Sequence, residues 1–189
     1  IKYIKDIKPD LPIDIALVDT PLAEVGRLAE FINDANRQGL SIAKACDSRG
    51  VFYPNQVFQF FKELNKSVER EVTLGIHFHN DLGLALSNTI KALELGIRMI
   101  STSWLGLGER AGLVPTEQIL FLLSHERDLL YKRIGVTNPK KLFSKDINLK
   151  GLVSIAKEIS NLLNIPIKST DPIIGSGLNS ISTGLPFSK

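Results

Sequence analysis

One pattern recurs four times along the chain: a short apolar run, a polar loop and an amphipathic stretch with helical spacing. The apolar runs lie at residues 13–19, 40–47, 72–81 and 97–106, so one unit takes about 30 residues. Strands joined by helices run parallel, because each crossover returns the chain to the same end of the sheet. The repeat therefore predicts an α/β fold, a (β/α)8 TIM barrel of which four units supply half, with a doubly wound open sheet as the alternative.

The pattern changes near residue 125. The residues that follow contain amphipathic stretches typical of helices, and residues 165–189 are rich in glycine, serine and proline. We therefore divide the chain into residues 1–124, which supply the barrel units, and residues 125–189, a helical subdomain that ends in an extended segment.

Composition narrows the class of protein. The net charge is +3 and the basic residues are scattered, so we expect no nucleic-acid partner. No apolar run reaches the roughly 18 residues of a membrane span, so we expect no membrane partner. The single cysteine, Cys46, cannot form an internal disulfide, which favours a cytoplasmic location.

Two of the three histidines, His77 and His79, end the third apolar run in the stretch HFHND. In a strand, residues i and i+2 point to the same face, so the two imidazoles converge. Two imidazoles can bind one divalent cation, and α/β proteins build their sites at this end of their strands. We predict a metal site, with a pair of hydrogen-bonded histidines in a polar barrel interior as the alternative.

A metal site needs a carboxylate as well. Asp19, Asp47 and Asp81 end or follow strands and are the candidates, although Asp81 has an alternative role as a helix cap. Ser48 follows the second run, where its hydroxyl can donate to a ligand oxygen. The alternative for Asp47 and Ser48 is an ordinary turn.

The loop after the fourth run reads GLGERAG at residues 106–112. The sequence of this loop matches a dinucleotide-binding fingerprint. In that fingerprint the glycines lead directly into a helix and follow the first strand, whereas this loop does not lead directly into a helix and follows the last strand. We therefore reject that interpretation. The glycines instead predict a tight turn at the barrel mouth. Glu109 and Arg110 then form an ion pair or contact substrate, and a structural turn with a surface pair is the alternative.

Together these motifs resemble those of the acyl-CoA Claisen-condensing enzymes, namely 2-isopropylmalate, homocitrate and citramalate synthases, which are relatives of HMG-CoA lyase. The HxHND strand end, the helix containing Asn88 and the GxGERAG loop occur in the family's order and spacing. CDSRGVFYPNQV and DPIIGSGLNSISTG resemble two further family segments. The resemblance covers residues 13–184.

The resemblance implies a TIM barrel of which this chain supplies about strands 5–8, followed by the start of a C-terminal subdomain. It implies that the protein condenses acetyl-CoA with a 2-oxo acid, that it uses a divalent metal (Mg, Mn or Zn), and that it is a homodimer. A first-strand segment that carries an acidic metal ligand and an arginine is expected outside these 189 residues.

The resemblance also implies roles for individual residues. His77 and His79 would be metal ligands, and Ser48, next to Asp47, stands where a threonine contacts the oxo acid. The catalytic residues of the mouth loop would be Glu109 and Arg110.

Several positions depart from the family pattern. Leu113 stands where isopropylmalate synthase and the lyase place an asparagine ligand, and Gly177 and Ile181 replace an asparagine and a histidine of the terminal segment. Leu113 favours one branch of homocitrate synthases, whereas Val18 disfavours oxoglutarate as the oxo acid.

The GER triplet favours a synthase, so we expect a metal-dependent acyltransferase. Ile181 favours one alternative, a carbon–carbon lyase or aldolase of the HMG-CoA lyase type. The second alternative is a degenerate barrel module without activity.

Overall fold

The computed structural model describes residues 1–69, 71–125, 132, 135 and 147–180. Four strands form one parallel sheet: β1 (Asp14–Leu17), β2 (Ile42–Asp47), β3 (Thr73–Phe78) and β4 (Met99–Ser101). The helices are α1 (Lys2–Ile7), α2 (Val25–Arg37), α3 (Pro54–Ser67), α4 (Ala85–Glu94), α5 (Thr116–His125) and α6 (Leu149–Leu163). Within the described ranges, no helix combines the length and apolarity needed to cross a membrane.

The strand order decides between the two predicted folds. The sheet order is β1-β2-β3-β4, so each described strand pairs with its neighbours in the sequence. A doubly wound sheet reverses its order at a switch point, and these four strands show no reversal. Helix α3 packs between α2 and α4, so consecutive helices lie side by side, as the outer helices of a TIM barrel do.

The register assigns each side chain to a face of the sheet. Residues paired across parallel strands point to the same side, and Cys46, His77 and Ser101 form one such row. Phe78, the next residue of β3, is fully buried on the opposite face. His77 therefore faces what would be the barrel interior, where Lys44 also forms an ion pair with a β1 carboxylate.

An aromatic cluster holds the end of β3 against α3. The Phe78 ring lies 6.1 Å from that of Phe52 and 6.3 Å from that of Phe61, and Phe60 contacts both of those rings. Burying a phenylalanine contributes about 1.5–3 kcal/mol, so this cluster is a large part of the core. It also makes the backbone that precedes His79 rigid.

Two elements differ from the sequence predictions. The stretch Asp19-Thr20-Pro21 predicts that the second helix starts at Pro21. Helix α2 instead starts at Val25, because the Glu24 carboxylate accepts hydrogen bonds from two backbone N–H groups of the first turn. Residues Thr20–Leu22 form a separate 3-10 turn. Helix α1 was not predicted, and it buries none of its residues.

The described part of the C-terminal region contains α6, which lies in the amphipathic stretch predicted to be helical. Residues 169–180, predicted to be extended, form turns and a short 3-10 helix (Ser176–Asn179). Gly177 donates its N–H to the Ser169 carbonyl, and a Cβ on Gly177 would lie 2.7 Å from that oxygen. This local fold therefore requires glycine rather than the family's asparagine, whereas Ile181 lies outside the described residues.

A buried acid lies in the first turn of α5. Glu117 is 2% exposed, and its carboxylate accepts the N–H of Leu105, which has a left-handed φ of 58°. A cavity of about 230 Å³ separates Glu117 from the segment that contains Asp171. Burial raises the pKa of Glu117, and the charge of Asp171 adds to the effect.

Replacing Glu117 with glutamine should stabilise the protein increasingly as the pH rises. The folded protein keeps the Glu117 proton to higher pH than the unfolded chain does, because the folded pKa is raised. The stability of the wild type is therefore greatest below the ordinary glutamate pKa and falls as the pH rises through the folded pKa. Glutamine keeps the acceptor for Leu105 and does not titrate.

The measurement is the free energy of unfolding of both proteins between about pH 4 and pH 8. The exposed Glu63 of α3, replaced with glutamine, is the control. A difference between wild type and Glu117→Gln that is independent of pH would contradict the assignment of Glu117 as a buried, destabilising charge.

Candidate functional site

The two histidines converge at the carboxyl end of β3. Their ring centroids are 5.1 Å apart and their planes are inclined by 70°. His79 lies one residue beyond the strand, where its N–H donates to the Asp47 carbonyl at 3.3 Å and its backbone forms an antiparallel bridge with Leu113. The convergence expected from the i, i+2 spacing is therefore present, and the loops after β2 and β4 hold it from both sides.

The surroundings of the pair suit a cation. His77 is half-buried, and burial is the main cause of its lowered pKa, with further contributions from the charges of His79 and Lys44. His79 is 8% exposed, and no described residue hydrogen-bonds its buried Nδ1. A buried nitrogen without a partner is costly, and a neutral imidazole nitrogen is a common metal ligand. The pair therefore fits a divalent metal.

The described residues do not complete a coordination sphere. No group of three or more His, Cys, Asp and Glu side chains within them could hold a metal ion. The three candidate carboxylates have other neighbours. Asp81 pairs with Arg110 at 2.7 Å, and Asp19 lies 3.2 Å from Arg49, while no described residue hydrogen-bonds the buried Oδ1 of Asp19. Asp47 is bound by loop amides.

Asp47 and Ser48 hold the loop that follows β2. The buried Asp47 carboxylate accepts the N–H groups of Val51 at 2.9 Å and Phe52 at 2.8 Å, one on each oxygen. This geometry supports the turn alternative for Asp47 over direct contact with substrate. The Ser48 Oγ accepts the Asp19 N–H at 2.9 Å, and its own hydrogen is oriented by rotation of the hydroxyl.

Asn80, not Asp81, caps the turn before α4. The Asn80 Oδ1 accepts the N–H of Ala85, the first residue of α4, at 3.1 Å. The helix-cap alternative for Asp81 is therefore wrong: the Asp81 carboxylate instead faces the GLGERAG loop. The hydrogen bonds from Arg110 are the main cause of the lowered pKa of Asp81.

The GLGERAG loop forms the tight turn that its glycines predict. Gly106 and Gly112 have left-handed φ values of 64° and 80°, and Leu113 donates its N–H to the Gly106 carbonyl at 3.0 Å. A Cβ on Gly112 would lie 1.8 Å from that carbonyl oxygen. The backbone at Gly112 therefore packs directly against the Gly106 carbonyl, and only glycine fits at position 112.

Glu109 and Arg110 have different surroundings. The Glu109 side chain is 81% exposed, and the nearest contact with Arg110 is 3.5 Å. The Arg110 guanidinium makes shorter hydrogen bonds to Asp81 and to the Ser48 carbonyl. The expected pair of Glu109 and Arg110 is thus a secondary contact, and the main partner of Arg110 comes from the HFHND segment.

Two buried polar residues, Asn88 and Thr20, shape the site without having been predicted to do so from the sequence. Asn88 of α4 donates to the Phe52 carbonyl at 2.7 Å, and the Thr20 hydroxyl donates to the Cys46 carbonyl at 2.9 Å. Both anchor loops at the carboxyl end of the sheet. The signal for Asn88 was a polar residue on the apolar face of α4, among Ala85, Ala92 and other buried positions.

A parallel sheet in sequential order, with polar side chains gathered at the carboxyl ends of its strands, defines part of a TIM-barrel protein. Solved structures support this class. An HMG-CoA lyase from Bacillus subtilis matches with a TM-score of 0.68 and 21% identity, over 92% of this chain and 57% of that chain. An HMG-CoA lyase from Acinetobacter baumannii matches with a TM-score of 0.70 and 19% identity, over 98% and 59%.

The chain belongs to the HMGL-like family, whose family model matches residues 1–159. The 2-isopropylmalate synthase of Buchnera aphidicola subsp. Uroleucon sonchi is 29% identical over 175 residues, which are 92% of this chain and 33% of that protein. The chain spans about a third of the length of the curated relatives it matches. The predicted barrel and the family resemblance are thereby confirmed.

Proposed function

We propose that the protein containing this chain is an acyltransferase that condenses acetyl-CoA with a 2-oxo acid and uses a divalent metal. The observation that carries the proposal is the His77 and His79 pair at the carboxyl end of a barrel strand, where no described residue hydrogen-bonds the buried Nδ1 of His79. The relatives named 2-isopropylmalate synthase give the reaction type. Homodimerisation and a cytoplasmic location belong to the same proposal.

The imidazoles of His77 and His79 would hold the metal, which we propose to be Mg, Mn or Zn. When bound, such an ion supplies Lewis-acid polarisation of a carbonyl oxygen. Catalytic zinc sites use three protein ligands, so two imidazoles need at least one more. We expect that ligand from residues beyond the described ones, because Asp19, Asp47 and Asp81 have other partners.

The mouth residues would bind and orient the substrates. The Ser48 hydroxyl can rotate to donate to a carboxylate of the oxo acid while it accepts the Asp19 N–H. Glu109 is the member of the predicted catalytic pair whose exposed carboxylate can meet a substrate proton, and its charge acts on His77. The Leu113 side chain carries no oxygen, and it packs over Gly108.

A carbon–carbon lyase is the second candidate. The observation that favours it is Ile181, which stands where the synthases, by resemblance, have a histidine. Leu113 does not separate the two candidates, because isopropylmalate synthase and the lyase both place an asparagine at that position. A lyase would use the same residues at the barrel mouth to cleave a carbon–carbon bond.

The deciding experiment measures thiol release from acetyl-CoA by the full-length protein with a panel of 2-oxo acids. The protein is first freed of metal and then supplied with Mg, Mn or Zn. We expect release that requires both an oxo acid and a metal, with acetyl-CoA alone as the control. Release with none of the acids would refute the synthase, and cleavage of 3-hydroxy-3-methylglutaryl-CoA would then establish the lyase.

A further inference from the structure

We propose that Arg110 is a positioning residue, which locks the three mouth loops together and thereby fixes His79 for metal binding. We call Arg110, Asp81 and the Ser48 carbonyl the mouth clamp. The inference deepens the proposed function and rests on it for the role of His79. Arg110 would act through His79, whereas the sequence predicted that Arg110 itself is a catalytic residue.

The clamp joins loops that follow three different strands. Arg110 donates from Nε to Asp81 Oδ1 at 2.7 Å and from Nη2 to Asp81 Oδ2 at 3.0 Å, which is a two-point contact. Its Nη2 also donates to the Ser48 carbonyl at 2.5 Å. These residues follow β4, β3 and β2. A planar guanidinium can make all three bonds at once, whereas an ammonium group is a point donor without this fork.

The backbone of Arg110 is held in an unfavourable conformation that suits this contact. Its φ of 54° lies in the left-handed region, which non-glycine residues seldom adopt. Such a conformation persists when the surroundings determine it. The two left-handed glycines of the loop, Gly106 and Gly112, already supply the tight turn, so the left-handed Arg110 serves to direct its side chain across the mouth.

The segment from His79 to Asp81 is enclosed by the loops that the clamp joins. A Cβ on Gly50 would lie 2.6 Å from Asp81 Oδ2 and 2.9 Å from the His79 carbonyl, so the β2 loop lies directly against this segment. On the other side, the Asn80 N–H donates to the Gly112 carbonyl at 2.9 Å. His79 therefore lies between two loops, and the clamp sets the distance between them.

The clamp should matter more for ligand geometry than for global stability. The side chains of Arg110 and Asp81 are 44% and 24% exposed, and partly exposed ion pairs contribute little to folding. Residues that orient metal ligands, in contrast, typically change metal affinity about 10–100-fold when replaced. A merely structural ion pair would not show this separation.

The test compares Arg110→Lys and Asp81→Asn with wild type in the full-length protein, with Mn²⁺ as the probe. We expect the Kd for Mn²⁺ to rise at least about tenfold in each variant, while the Tm changes little. Arg37→Lys is the matched control, because Arg37 also forms a partly exposed ion pair, with Glu69 at 2.9 Å, away from the mouth. Unchanged Mn²⁺ affinity in Arg110→Lys overturns the inference and leaves the proposed function intact.

A second measurement decides the inference if the wild type binds no Mn²⁺, an outcome that would remove Mn from the metals in the proposed function. Hydrogen exchange of the Asn80 amide is followed in the metal-free proteins, since this N–H joins the β3 and β4 loops. Faster exchange in Arg110→Lys than in Arg37→Lys supports the clamp. Equal exchange in the two variants overturns it.

Discussion

Replacing His77 and His79 together with alanine should abolish metal binding and metal-dependent activity. We expect the Kd for Mn²⁺ to rise by at least about 100-fold and thiol release to fall by about 1000-fold or more, because the variant lacks the two imidazoles that we propose as ligands. No described residue hydrogen-bonds His79 Nδ1, so the substitution removes a buried polar atom that has no described partner. The variant should therefore still fold.

The control for this variant is His125→Ala, which removes the third histidine of the sequence and leaves the HFHND segment intact. Metal content by mass spectrometry and circular dichroism of both variants separate loss of the site from loss of the fold. A double variant that retains stoichiometric metal would show that the site lies elsewhere. Normal activity in the double variant would show that the reaction does not depend on His77 and His79.

Replacing Gly112 with alanine should destabilise the fold more than any other substitution of a mouth residue that adds a single methyl group. The added Cβ would lie 1.8 Å from the Gly106 oxygen, and φ is already +80°. The Leu113 to Gly106 hydrogen bond must break to make room, so the GLGERAG turn opens. We expect the free energy of unfolding to fall by more than about 3 kcal/mol, together with weaker Mn²⁺ binding.

Gly83 provides the matched control. Its φ is +71°, yet a Cβ there would have no atom within 4 Å, so Gly83→Ala reports the conformational cost alone. That cost is about 1–2 kcal/mol for a residue in the left-handed region. Denaturant unfolding of both variants gives the difference, which measures the steric clash. Equal costs in the two variants would show that the loop relaxes around the new methyl group.

The sequence predicted those features that depend on short-range periodicity. The i, i+2 spacing of His77 and His79 predicted that their side chains would converge, because side chains in a strand repeat every two residues. Pro54 likewise predicts the start of α3, since proline suits the first turn of a helix. Helix α2 was mispredicted because Glu24 and Thr20–Leu22 compete as helix starts, and tertiary contacts decide between them.

The contacts that shape the site depend on register and loop packing, which local patterns do not encode. Asp81 and Arg110 are 29 positions apart, and either could have been exposed or paired elsewhere. The sequence indicated Asp47 as a candidate ligand, but its two carboxylate oxygens accept hydrogen bonds from two backbone N–H groups of its own loop. The sequence thus indicated which residues gather at the mouth, whereas their partners became visible only in three dimensions.

The sequential strand order has a consequence for how this barrel can be assembled. Each described strand pairs only with the strand before or after it, so most contacts are made between consecutive units. Contacts between consecutive units let a block of units be exchanged without rethreading the chain. In a chimera that joins these four units to four units of a relative, only two new strand pairs must fit. One of them involves the edge of β1 and the other the edge of β4.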